Sequence, residues 1–234
     1  MFNFVPFLLT KLKEIMRKLL MIVALMMAMT AQAQWRVGVV GGADYNVYSM
    51  DQQYMTDFKV DGRWGATLGV TGQYDVNEWL GVRAELDWTQ KNYRRSRVVY
   101  SDIDYKLTNN YLQLPLMASF SFGAERLRGF CNLGVYGGYW LSSHRKGTDI
   151  NFFDDDKVFS FDEKVDFYDK RDQRWDCGFV GGIGVEYRLA EHWAAQAEAR
   201  YYYSTTSATK QYMRVADYRY NSTTALQLAI NYIF

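Results

Sequence analysis

Charged residues recur two positions apart inside otherwise apolar stretches of this chain. Arg83, Glu85 and Asp87 alternate with Val82, Ala84, Leu86 and Trp88. Glu186 and Arg188 alternate with Val185, Tyr187 and Leu189, and Glu198 and Arg200 with Ala197, Ala199 and Tyr201. A spacing of two places all of these charges on one face of a β-strand. Carboxylates and guanidinium groups turned into an enclosed space could line a gate or ion path. They could instead pair with one another, because unpaired charges in a narrow interior are costly. A plug of that kind would fix strand register and block passage. Side chains just fill the interior of an eight-stranded ring, which favours the plug.

Other groups invite chemistry less strongly. Ser142, Ser143, His144 and Asp149 supply the residue types of a hydrolase triad, but they cluster at the base of a loop, and His192 is the only other histidine. Catalysis is therefore not expected. The segment Ser143–Asp172 carries Asp154-Asp155-Asp156, Asp162, Glu163, Asp166, Asp169 and Asp172. Carboxylate clusters can hold Ca²⁺, but the spacing of a calcium loop is missing and bases are interspersed. We read a solvated loop with no metal and no cofactor. Its Phe152, Phe153, Phe159, Phe161, Phe167 and Tyr168 point to a hairpin extended beyond the wall, or to contact with a protein partner. Gly181-Gly182-Ile183-Gly184 lacks the strand–turn–helix context of a nucleotide-binding turn, and glycine within a strand more often permits bending.

The elements that must position these residues are strands. Thr224–Phe234 sets Leu226, Leu228, Ile230, Tyr232 and Phe234 on one face, with Ala225, Gln227, Ala229 and Asn231 on the other. The same alternation runs through Trp35–Tyr48, Arg63–Asp75, Leu80–Tyr93, Tyr111–Phe122, Phe130–Ser142, Trp175–Leu189 and the segment from Trp193. Each of the eight is long enough for the roughly 9–11 residues of a tilted membrane strand. The connections Asp75–Trp79, Gly123–Leu127 and Ala190–His192 are short. Ser49–Gly62, Arg94–Thr108, Ser143–Asp172 and Ser207–Tyr218 are long. Strict alternation of short turns and long loops between an even number of strands is the rhythm of an outer-membrane barrel. The predicted fold is all-β, an eight-stranded antiparallel up-and-down transmembrane β-barrel with apolar faces toward lipid and polar faces inside. A soluble ligand-binding barrel would reverse these faces.

Aromatic residues agree with that reading. Trp35, Trp79 and Trp193 fall at the short-turn end, and Trp64, Trp88, Trp140 and Trp175 toward the long loops, as two interfacial girdles would require. The N-terminus reads as a cleaved signal peptide over residues 1–33. Arg17-Lys18 is the basic region, Leu19–Met29 the apolar region and Ala31-Gln32-Ala33 the cleavage site, so the mature barrel spans 34–234. The signal reads best with translation starting at Met16. Formal net charge is +1 over the whole chain, which gives no sign of a nucleic-acid surface. Strand placement puts Cys131 and Cys177 several residues apart along the barrel, too far for a disulfide. Pro115 cannot donate to a ladder, and a local bulge is expected there.

Several stretches resemble the PorT-like family of outer-membrane β-barrel proteins. Tyr111-Leu112-Gln113-Leu114-Pro115-Leu116 is similar to its Y-L-x-aliphatic-P-L strand. Leu80-Gly81-Val82-Arg83-Ala84-Glu85-Leu86 with Gln90-Lys91 is similar to another, although Asn92 stands where glycine is common. Gly181–Tyr187 and Glu198-Ala199-Arg200-Tyr201 resemble later strands. The resemblance implies an outer-membrane barrel without implying one function, since its named member assists protein secretion. The expectation is a non-enzymatic barrel with a plugged lumen and extracellular loops for surface contacts, or for assistance to secretion or envelope assembly. A lipid-modifying outer-membrane enzyme is the rival. Expected partners are outer-membrane lipid, a protein at 143–172, and the barrel-assembly machinery acting on the last strand ending in Phe234.

Overall fold

The computed structural model describes residues 34–50, 57–99, 103–151, 157–210 and 218–234. Residues 1–33, expected to be a signal peptide, lie outside the described residues, as do Phe152, Phe153 and the aspartates at 154–156. Among the described residues ten strands run in order: β1 (Gln34–Met50), β2 (Phe58–Asp75), β3 (Leu80–Gln90), β4 (Tyr93–Arg97), β5 (Asp104–Gly123), β6 (Leu127–Asn151), β7 (Lys157–Val165), β8 (Trp175–Ala190), β9 (Trp193–Ser204) and β10 (Arg219–Ile233). All pairings are antiparallel. β1 pairs with β2 and, from Arg36↔Ile233 to Met50↔Arg219, with β10, which closes the ring. The closed wall is β1-β2-β3-β5-β6-β8-β9-β10, eight strands. Closure leaves no unpaired edge within the wall, the condition for a sheet in hydrocarbon.

Alternation decides the faces. Outside, Leu68, Val70, Leu114, Phe179, Ile183, Leu226 and Leu228 are all more than half exposed. Inside, Arg36, Arg83, Glu85, Glu186, Glu198 and Arg200 are buried. The exterior is apolar and the interior polar, the reverse of a soluble ligand-binding barrel. The interior is nevertheless not polar throughout. Met117, Tyr136, Val180, Tyr202 and Ala225 form an apolar layer within it.

The turns follow local chemistry. Asn77 Oδ1 accepts from the Trp79 and Leu80 amides at 3.0 and 2.7 Å, an Asx turn that reverses β2 into β3. Gly123 takes φ of 122° where β5 turns into β6, a conformation that L side chains rarely adopt.

Two predicted loops are largely sheet. β4 continues the β3 wall strand after a break at Lys91-Asn92 and pairs with Phe58–Gly62. β6 runs on to Asn151, and β7 returns beside it from Asn151↔Lys157 to Ser143↔Val165. Arg94–Thr108 and Ser143–Asp172 are therefore mostly hairpin extensions, because the two-residue alternation of Arg145, Gly147 and Asp149 against His144, Lys146 and Thr148 carries on past the wall. Beyond the long-loop rim, β2, β4, β5, β6 and β7 form a five-stranded sheet.

The expected bulge at Pro115 is absent. Pairing of β3 with β5 keeps one register from Leu80↔Phe120 to Gln90↔Asn110 and lapses only opposite Leu114 and Pro115. The register shift in β5 lies between Asn110 and Tyr111, on the β6 side. A proline that simply omits its donor costs the ladder less than an inserted residue would.

Candidate functional site

The interior is the densest concentration of chemistry among the described residues. At the short-turn end the Arg36 guanidinium binds Asp75 at 2.5 Å and both Glu186 oxygens at 2.8 and 2.7 Å. Gln73 donates to Asp75 at 2.6 Å, and Gln196 to Glu186 at 2.7 Å. One layer up, Arg83 donates to Gln196 at 2.8 Å and to Glu85 at 2.5 Å. Arg200 spans the lumen, giving 2.6 Å bonds to Glu85 from Nη1 and to Glu198 from Nη2. Its Nη1 also donates to the Tyr202 hydroxyl at 2.9 Å. Asn132 donates to Glu198 at 3.0 Å. Every bond here is charge-assisted or joins a neutral group to a charged one, the stronger class.

Above the apolar layer a second centre forms. Lys91 Nζ donates to Asp176 at 2.7 Å beneath the Tyr136 and Tyr111 rings, 4.7 and 5.2 Å from their centroids. Asp176 Oδ1 also accepts from the Ser204 hydroxyl at 2.6 Å and from the Tyr136 hydroxyl at 3.2 Å. Between the centres, Asp44 accepts from Thr67, and from Thr89 at 2.6 Å. Stacked Tyr48 and Tyr93 rings, 4.3 Å apart, close the long-loop end with Ala208. A void of about 130 Å³ beside Arg83, Gln196 and Glu198 is too thin for a water molecule.

The structure sorts the sequence-predicted charges into three groups. Arg83, Glu85, Glu186, Glu198 and Arg200 meet in the network. Asp87 is wholly buried, yet neither of its oxygens has a hydrogen-bond partner among the described residues. Arg188 shares the inward parity but lies half-buried at the rim, beside the turn into β9, with no ion-pair partner among the described residues. Arg36, Asp44, Asp75, Lys91 and Asp176 were missed. None lies within three residues of another inward charge, so no ladder marks them, and only extending the inward parity along β1, β2 and β8 and past the end of β3 would have found them. The signs inside do not balance. Arg36, Arg83, Lys91 and Arg200 face the carboxyls of Asp44, Asp75, Glu85, Asp87, Asp176, Glu186 and Glu198. Two inward glycines are explained by this filling rather than by bending: a Cβ at Gly69 would strike the Asp87 carboxyl, and one at Gly182 the Glu198 carboxyl.

Of the seven tryptophans, Trp35, Trp64, Trp79, Trp88, Trp175 and Trp193 are exposed on the outer surface. Trp140 is not. It pairs across strands with inward Tyr111, stacks on it at 5.7 Å, and packs against Phe167. Inward parity with Asn132 and Tyr136 requires this. Tyr139 takes the outward place, 5.1 Å from Trp175.

The hydrolase residue types do not assemble. Ser143 points inward and donates to Asn109 at 2.7 Å, whereas His144, one residue on, points outward and contacts Asp162 at 2.5 Å. Among the described residues no group of His, Cys, Asp and Glu could hold a metal ion. Cys131 sits opposite Ile183, and Cys177 opposite Gly137, six residues along β6; both thiols are free.

Comparison with solved structures finds the attachment invasion locus protein Ail of Yersinia pestis, with 14% identity over 86% of this chain and 99% of that one, at a TM-score of 0.41. OprG of Pseudomonas aeruginosa shares 15% identity over 86% and 95%, at 0.46. Neisserial surface protein A shares 14% over 86% and 97%, at 0.43. Comparison with curated proteins returns no significant match. The sequence profile of the outer membrane protein beta-barrel domain matches residues 19–234, which takes in the whole ring and its filled lumen. The chain thus belongs to the outer membrane protein beta-barrel domain family, and its place is the outer membrane.

Proposed function

We propose that the protein is a non-enzymatic member of this family, of the PorT-like kind, whose plugged lumen holds a rigid platform for its outer sheet. The observation that carries the reading is the continuous network from Arg36 through Arg83 to Arg200. A wall cross-braced at this density suits anchoring better than passage. The work is then left to the five-stranded sheet beyond the rim, which would make surface contacts or assist secretion or envelope assembly. The six outward tryptophans, with Tyr139, anchor the wall at the two interfaces. Phe234, exposed at the end of the last strand, is the group we assign to the barrel-assembly machinery.

Planar-bilayer recording of purified protein tests the plug. The expected trace has no steady porin-like conductance, and a large, steady one overturns the reading. Native-detergent capture through a tag should bring down an envelope protein in a manner lost when 143–165 is shortened to a tight turn. We also propose that residues 1–33 are removed on export. N-terminal sequencing of membrane material should then begin at Gln34, and any residue upstream of Ala33 sinks that assignment.

A further inference from the structure

We infer that the outer face of the extended sheet binds phosphate groups of a glycolipid headgroup through Arg94, Lys106 and Lys146. The inference rests on the reading that the long-loop end faces outward.

Pairing places these three side chains in one row on neighbouring strands: Arg94↔Lys106 joins β4 to β5, and Lys106↔Lys146 joins β5 to β6. Like charges directly opposite each other destabilise a sheet, so such a row is not explained by folding. The flanking two are compensated. Arg94 binds Asp104 at 2.7 and 2.6 Å, and Lys146 binds Asp162 at 2.6 Å. Lys59 likewise binds Asp61 at 3.0 Å. Lys106, in the centre, is exposed and has no ion-pair partner among the described residues. Lys164 shares its face on β7 and is also without an ion-pair partner among the described residues. Counting Asp61, Asp104 and Asp162 against the five bases, the face keeps an excess of positive charge. A recess of about 430 Å³ opens between Asp104, Lys106, Lys146 and Thr148.

Position decides the ligand. On the outward face of β5, Leu116, Leu114 and Leu112 belong to the apolar belt, and Lys106 lies six residues beyond Leu112. At about 3.4 Å per residue and a tilt of roughly 40°, that is about 15 Å further along the membrane normal. A lysine there stands at the height of a bulky headgroup and can bend its stem back toward the interface. The outer leaflet of this membrane supplies such a headgroup, a glycolipid bearing phosphates on sugar. An ammonium left unpaired between two bases is the group that a phosphate oxygen would complete.

The test titrates full-length protein in neutral detergent micelles with diphosphoryl lipid A, and in parallel with the same lipid after enzymatic dephosphorylation and with inorganic phosphate. The phosphorylated lipid should bind, with affinity falling as salt rises. Lys106→Ala should weaken it roughly tenfold or more, and Lys106→Arg should largely retain it. Heat-modifiable gel mobility of each variant checks that the barrel is intact. Equal binding of the dephosphorylated lipid, inorganic phosphate binding as tightly as the lipid, or an intact Lys106→Ala barrel with unchanged affinity would each overturn the proposal. The micelle assay reads the site whichever way the barrel lies in the cell. Labelling of a Ser96→Cys variant on whole cells tests orientation separately, and failure to label overturns the orientation and with it the choice of lipid.

Discussion

Glu198 shows how much a single inward carboxylate holds. It accepts from Arg200 Nε at 3.0 Å, Arg200 Nη2 at 2.6 Å and Asn132 at 3.0 Å, and Arg83 Nη1 lies 3.7 Å away. Glu198→Ala removes the partner and leaves two guanidinium groups sharing Glu85. Breaking a buried pair costs about 3–5 kcal/mol, since the orphaned charge stays desolvated. The expected result is a lowered urea midpoint in lipid vesicles with no channel activity. An unchanged midpoint would mean that water screens the site. Much of this was legible in the sequence, because Glu198 and Arg200 sit two apart among alanines and tyrosines. Glu85 was expected on the same inward face, but its pairing with Arg200 was not legible. It is 115 residues away from Arg200 and meets it only because the ring is narrow enough for a side chain to reach across.

At the level of elements, the return from β7 to β8 has one buried aspartate at its centre. Asp172 accepts from the Tyr168 amide at 2.8 Å and from Arg171 at 2.8 and 3.1 Å. Burial works to raise its carboxyl, but the Arg171 guanidinium and the Tyr168 amide together outweigh burial and hold it below the usual carboxylate range. A depressed folded-state value means the stabilisation is present above the ordinary carboxylate range. It is lost as pH falls through the lowered one. Limited proteolysis across pH should show cleavage within 166–174 rising at the acid end, and Asp172→Asn should bring that cleavage to neutral pH. Protection of the variant equal to wild type would remove Asp172 from this role. The hairpin below this return was read as a loop because its charges resemble a solvated segment. What extends it is the cross-strand pairing of Arg145 with Glu163 and of Lys146 with Asp162, which no single strand displays.

Across the whole molecule, the eight wall strands and the order of short and long connections followed from period-two alternation, whereas telling inside from outside also took the rhythm of the connections, the N-terminal segment and the aromatic positions. What did not follow was how the lumen fills. An apolar layer of Met117, Tyr136, Val180, Tyr202 and Ala225 separates the Arg200 centre from the Lys91–Asp176 centre. Each comes from a different strand, so the layer exists only once five neighbouring strands have paired and curved. The misplacement of Trp140 has the same origin in reverse: distance from a strand end was read where parity governs.

The lapse opposite Pro115 gives the wall a preferred line of parting. Elsewhere between β3 and β5 the pairing is unbroken, so pulling the strands apart must break rungs together; at Leu114-Pro115 the tear is already begun. A barrel drawn out of a bilayer by a tether on its N-terminal strand should first release β1 to β3 as one piece, with β5 onward left seated. In single-molecule force traces, Pro115→Val should raise the force of that first step without changing the length released. An unaltered first step would show that the seam bears no load.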